Sequence, residues 1–214
     1  FGYSPAEGAQ FDQMSVSAAI DTLVDYDQIP DTVDDNIGKP GFLGNTSRGP
    51  FEPNTRVSDA RQRLLFRMVH SARPLQEKMA LFWHNHFATG YSKIAGQITA
   101  DGASRALGAK ASEDVDGIRG QYELFRQYAL GNFRDLLMQV SQDVAMVAWL
   151  DGDTNFKAKP QENYARELME LFTMGVGNYM ERDIKMAARA FTGWTFAQPI
   201  PLYPYGQSPA EFLY

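Results

Sequence analysis

Apolar residues in this chain recur three and four positions apart, and that spacing constrains the fold more than any other feature. Phe133, Leu136, Leu137, Val140, Val144 and Val147 form one stripe over residues 132–150, as a helix with one buried face requires. Val57, Leu64, Leu65, Met68, Val69 and Ala72 repeat the pattern over 56–72. Shorter helices are expected at 15–26, through Ala19, Ile20, Leu23 and Val24, at 119–130, and at 181–192, through Ile184, Ala187, Ala188 and Phe191. No strand pattern of comparable strength competes with these helices, and no internal repeat is visible. The expected fold is therefore all-α, an irregular multi-helix bundle with long loops.

Several punctuation residues sharpen these boundaries. Asn132 suits a helix N-cap, with Asp135 in the first turn, where both favour the helix dipole. Leu150-Asp151-Gly152 is expected to close that helix, its glycine taking the left-handed conformation. Pro74 suits a first helical turn, because its missing N–H is not needed there. The helix it opens runs through Leu75, Met79, Phe82, Trp83 and Phe87 towards Gly90. Residues 91–120 are rich in Gly, Ala, Ser and Asp, and they read as one long loop. Residues 28–53 and 198–209 read as turn and irregular chain.

Composition bounds the function. The 214 residues are 44% hydrophobic and 21% charged, as expected of one globular helical domain over 1–214. The formal charge is −6, so the basic footprint of a nucleic-acid binder is absent and no nucleic-acid partner is expected. There are no cysteines, which excludes disulfides, thiolate metal sites and cysteine nucleophiles. No apolar run is long enough for a transmembrane segment. Neither a nucleophile elbow nor a glycine-rich phosphate loop occurs.

Two places concentrate reactive side chains. His84 and His86 lie on the Pro74 helix, two positions and so about 200° apart. They point to opposite sides, and both can ligate one metal only if the helix ends or distorts. The second place is the helix expected over 160–174. Asn163, Glu167 and Glu170 stand there at spacings of four and three, which puts them on one face. Arg166 flanks them, and Tyr164, Leu168, Leu171 and Phe172 take the other side. One reading of the stripe is a solvated face holding an Arg166–Glu170 pair. The other is a metal centre in which Glu167 and Glu170 face a histidine from the neighbouring helix. Zinc, iron and manganese all suit such ligands. Arg189 and Trp194 are a further candidate pair, for an anion or a sugar ring. The plainer reading is an ion-paired arginine and a packed tryptophan.

Read together, several segments resemble one known family. They are Phe1-Gly2-Tyr3-Ser4-Pro5-Ala6-Glu7, Trp83-His84-Asn85-His86-Phe87, 128–137, Asn163-Tyr164-Ala165-Arg166-Glu167-Leu168-Met169-Glu170-Leu171-Phe172-Thr173, and Arg189-Ala190-Phe191-Thr192-Gly193-Trp194. The chain resembles the bacterial "domain of unknown function 1800" family over nearly its whole length. That resemblance implies an exported protein, periplasmic or extracellular, encoded beside a sulfatase-like partner, and it implies no established activity. It places His84, His86, Asn163, Arg166, Glu167 and Glu170 inside two signature blocks. It also implies that the chain is part of a longer protein with a downstream His-Asp-x-Gly-x-Lys segment. Met180 stands where the family usually carries a Ser or Thr cap.

Three functional expectations follow. The first is a metal-dependent enzyme with His84, Glu167 and Glu170 as candidate catalytic residues and His84, His86, Glu167 and Glu170 as candidate metal ligands. The second is a non-catalytic binding or assembly module in which Arg166, Glu167 and Glu170 form buried ion pairs and His86 is a core residue. The third is a sugar-binding surface built from Trp194, Tyr203 and Tyr205. Contact between an imidazole and Glu167 or Glu170 would favour the first.

Overall fold

The computed structural model describes residues 5–44 and 49–195. Among them the chain is mainly helical and no strand forms, though isolated bridges occur, one of them between Phe156 and Lys159. The helices are α1 (Pro5–Phe11), α2 (Val16–Val24), α3 (Val57–His70), α4 (Pro74–Phe87), α5 (Tyr91–Ile98), α6 (Ala100–Gly108), α7 (Gln121–Gln127), α8 (Phe133–Ser141), α9 (Val144–Trp149), α10 (Asn163–Glu167) and α11 (Glu181–Ala190). A π-helical segment, Leu168–Thr173, continues α10 directly.

The stretch expected to be one loop, 91–120, instead carries α5 and α6. Ile94, Ile98, Ala103, Ala106 and Leu107 from these two helices are core residues. The small residues that suggest loop are what lets the helices approach closely. A Cβ on Gly108 would stand 2.8 Å from the Cβ of Ala60 on α3, and one on Gly120 would stand 2.6 Å from the Ala109 nitrogen. Thr99 opens α6 by accepting a bond from the Gly102 N–H, at a φ of 121°.

The 132–150 stripe is likewise two helices. Asn132 caps α8 as expected, accepting from the Arg134 and Asp135 N–H groups. The ladder then breaks at Gln142-Asp143, and Asp143 caps α9 through the Met146 N–H. At the end of α9 it is Asp151, not Gly152, that takes the left-handed conformation, with φ of 59°. Met180 does not leave α11 uncapped, because the Asp183 carboxylate accepts its N–H at 2.9 Å.

Two large apolar clusters fill the interior, and a third, smaller one joins Ala165 to Ile184 and Ala188. Of the large two, one gathers Phe87, Leu124, Phe125, Leu136, Val140, Met146, Leu150, Tyr164 and Phe172. The other gathers Ile94, Ile98, Ala103, Leu107, Ala145, Val147 and Ala148. Beside them lies a buried ionic tie. Glu77 on α4 is fully buried and accepts from Arg67 Nε on α3 at 2.8 Å and from Arg126 Nε on α7 at 2.9 Å. Arg67 continues to Asp31 at 2.7 Å and Asp34 at 2.8 Å. Asp34 also meets Arg63 at 2.6 Å and Lys110 at 2.9 Å. Although burial opposes its ionisation, bonds from Arg63, Arg67 and Lys110 hold the Asp34 carboxyl well below the usual carboxylate range.

Removing one partner of a buried pair leaves an uncompensated charge, at a cost of about 3–5 kcal/mol. Glu77→Gln is therefore expected to lose about that much in urea unfolding. Arg166→Gln on the surface of α10 should leave the urea midpoint close to that of the parent chain.

Candidate functional site

The α10 helix begins at Asn163 rather than near residue 160, and the regular ladder lasts only to Glu167. Beyond it the turns widen. Met174 N–H bonds back to Met169 O at 3.0 Å and Thr173 Oγ1 donates to Leu168 O at 2.6 Å, both five residues apart. Gly175, with φ of 79°, then ends the helix, as only a residue without Cβ does without strain. Wide turns of this kind are rare and recur at functional sites.

This segment is where α4 meets the end of the α10 region. His86 Nε2 lies 3.2 Å from the Phe172 carbonyl oxygen. That carbonyl is in the last turn of its helix and lacks an intrahelical partner, so the imidazole donates Nε2–H. The His86 ring sits among Phe82, Trp83, Phe87, Phe133 and Phe172. Phe82 and Phe133 are themselves 52% and 39% exposed, so one edge of this aromatic group is open to solvent.

His84 faces the other way, as the helical angle demands. It packs against Tyr122 and Phe125 of α7, with ring centroids at 5.0 and 6.2 Å. Its Nδ1 is buried with no hydrogen-bond partner among the described residues. Burial lowers its pKa from the ordinary 6.5, because the charged ring would lose its water there.

The carboxylates of the stripe do share a face. Burial and the neighbouring Glu170 charge together raise the Glu167 carboxyl above its usual value. Glu170 accepts from the Tyr179 hydroxyl at 2.9 Å. Arg166 does not pair with Glu170. It bridges Glu162 at 3.0 Å and Glu181 at 2.8 Å on the surface, which corrects the expectation that Arg166 forms a buried pair. Among the described residues the buried ion pairs lie instead at Glu77, at Asp34 and between Arg105 and Asp114. Among the described residues no three histidine, aspartate or glutamate side chains converge as metal ligands.

Asn163 leaves the stripe for another partner. Its Nδ2 donates to Asp151 at 3.0 Å. Asp151 also receives Lys93 at 2.9 Å and Gln97 at 2.8 Å from α5, and the Lys93 ammonium lies 5.5 Å from the Trp149 ring centroid. Sequence reasoning misses these partners because Lys93 and Gln97 sit in the stretch that reads as loop. A crevice beside this group is lined by Ser141, Asp151, Gln161, Tyr164, Phe191 and Trp194. Its volume of about 10 Å³ holds one water and no sugar ring. Trp194 meets Phe191 edge to face, with centroids 5.4 Å apart. Arg189 is exposed, with its guanidinium near the Met186 sulfur. Residues 198–209, with Tyr203 and Tyr205, and Phe1-Gly2-Tyr3-Ser4 lie outside the described residues.

The model of the DUF1800 family, described as a protein of unknown function, matches residues 1–213. The chain belongs to the DUF1800 family. No curated protein and no solved structure matches it. In this DUF1800 chain, α4 and the π-helical segment meet where His86 reaches the Phe172 carbonyl. Among the described residues no helix is long and apolar enough to cross a membrane.

One part of this chain's pH response follows from His84. Its folded pKa lies below its unfolded value, so between the two the unfolded chain binds more protons. Its contribution is therefore complete above about 6.5 and is lost as pH falls through the folded pKa. Asp143 acts in the opposite sense, since burial pushes its carboxyl up to about 7. The difference between parent and His84→Phe isolates the histidine. Thermal melts across roughly pH 5 to 8, the span of histidine titration, should show a steeper acid loss in the parent. Equal slopes would show that His84 titrates alike in the folded and unfolded chain.

Proposed function

We propose that this chain is a non-catalytic binding or assembly module, in which the polar groups of the signature blocks hold helices in register. The observation that carries the reading is the division of the two imidazoles. His86 is committed to the Phe172 carbonyl and His84 to the aromatic contact with α7, so each histidine already has a structural task. The open aromatic edge at Phe82 and Phe133 adds support, because large exposed apolar groups on a folded surface favour interaction.

A metal-dependent enzyme is the second reading. One observation favours it: Glu167 and Glu170 lie close enough for the charge of one to raise the other, and such carboxylate pairs attract cations and serve as proton acceptors. Export and a sulfatase-like neighbour are part of the proposal and rest on the family resemblance. Fractionation of a bacterial host expressing the full-length protein tests the first, and co-purification tests the second.

Elemental analysis of purified protein separates the two readings. The module predicts substoichiometric zinc, iron and manganese after dialysis, and a melting temperature unchanged by chelator. One equivalent of metal that is lost in Glu167→Gln would overturn the module and establish the enzyme reading's premise.

A further inference from the structure

A second cavity lies at the opposite end of α4 from the histidines. It has a volume of about 280 Å³ and is bounded by α1, α2, the 3-10 turn Tyr26–Gln28 and the α3–α4 corner. Its walls are mainly apolar, from Phe11, Leu23, Ile29 and Pro74, with Gln10, Thr22, Tyr26 and Arg73 as the polar groups. That volume is roughly twice the ~150 Å³ that accepts one benzene ring, so a ligand of about ten to twelve non-hydrogen atoms is the right size. Apolar walls with a few placed polar groups are the usual composition of a small-molecule site.

Arg73 decides the chemistry. Its side chain is only 14% exposed, and the carboxylate it faces, Asp27, is 3.8 Å away and itself 82% exposed. Its Nε donates to a neutral acceptor, Ile29 O, at 2.6 Å, and Nη1 reaches Gln76 at 3.5 Å. The guanidinium lies 6.0 Å from the Tyr26 ring centroid, which sets it against an aromatic face. Among the described residues Arg73 holds no carboxylate closer than Asp27, and a largely buried guanidinium so placed is where an added anion gains most, because charge-assisted bonds to Arg are strong and directional. By contrast Arg63, Arg67 and Arg126 each hold a carboxylate within 3 Å.

We propose that this cavity binds a small apolar carboxylate, its tail between Phe11, Leu23 and Ile29 and its carboxylate on Arg73. The inference is independent of the α10 face and of whether that face binds a metal. Pro74 begins α4, so the positive end of that helix dipole lies on the same wall and reinforces the preference for an anion.

Isothermal titration calorimetry with 3-phenylpropionate, and with 3-phenylpropanol as its neutral counterpart, tests the proposal. The acid should bind at least tenfold more tightly than the alcohol. Arg73→Gln should lose at least tenfold for the acid and little for the alcohol. Leu23→Trp, which fills the cavity, should abolish binding of both while circular dichroism confirms the parent fold. Equal affinity for acid and alcohol would overturn the role of Arg73. Undiminished binding in Leu23→Trp would overturn the location, and no heat with either compound would overturn the site. Should Arg73→Gln fail to fold, the acid-to-alcohol ratio in the parent and the Leu23→Trp result still decide.

Discussion

The arrangement depends on one buried carboxylate. Glu77 joins Arg67 and Arg126, so the α4 helix is tied to α3 on one side and α7 on the other. Burying three charges is costly, and the cost is offset only when every partner is in place. The tie is therefore unforgiving of rotation. His84 is seven positions beyond Glu77, on the same helical face, and it meets α7 just as Glu77 does. The orientation that satisfies Glu77 thereby sends His84 to Tyr122 and Phe125 and turns His86 towards the π-helical segment. The placement of both histidines follows from an ionic contact two helical turns away.

The widened helix after Glu167 is the second constraint. Turns with five-residue spacing lose some of the regular pairing of carbonyl and amide groups, and the losses are made good locally. Thr173 returns to Leu168, Asn178 reaches Met174 O at 2.7 Å, and His86 takes Phe172. Polar residues of this segment and of α4 are thus drawn into backbone satisfaction. Glu167 and Glu170 remain on the outer side, with Tyr179 as the hydrogen-bond donor to the latter.

Much of this is legible in the chain, and the failures have physical causes. The all-α class, the Asn132 cap and the opposed histidines follow from period and angle alone. The α5–α6 pair is hidden because small residues signal loop and close helix packing equally well, and only a neighbour such as Ala60 distinguishes them. The break at Asp143 is hidden because it preserves apolar spacing across the kink. The widening after Glu167 leaves no mark in an apolar pattern. Glu77 draws no notice because a lone acid in a first turn normally serves the dipole, and its burial is decided by arginines distant in sequence.

The kink at Asp143 has an effect on how the molecule comes apart. It rotates α9 so that Met146 and Leu150 belong to one apolar cluster while Ala145, Val147 and Ala148 belong to the other. This short helix thus acts as a party wall between two rooms. Neither interior can open without stripping a face from that wall and exposing the other. Subglobal openings that would otherwise release one cluster at a time are coupled through α9, and the two cores share a single cooperative fate.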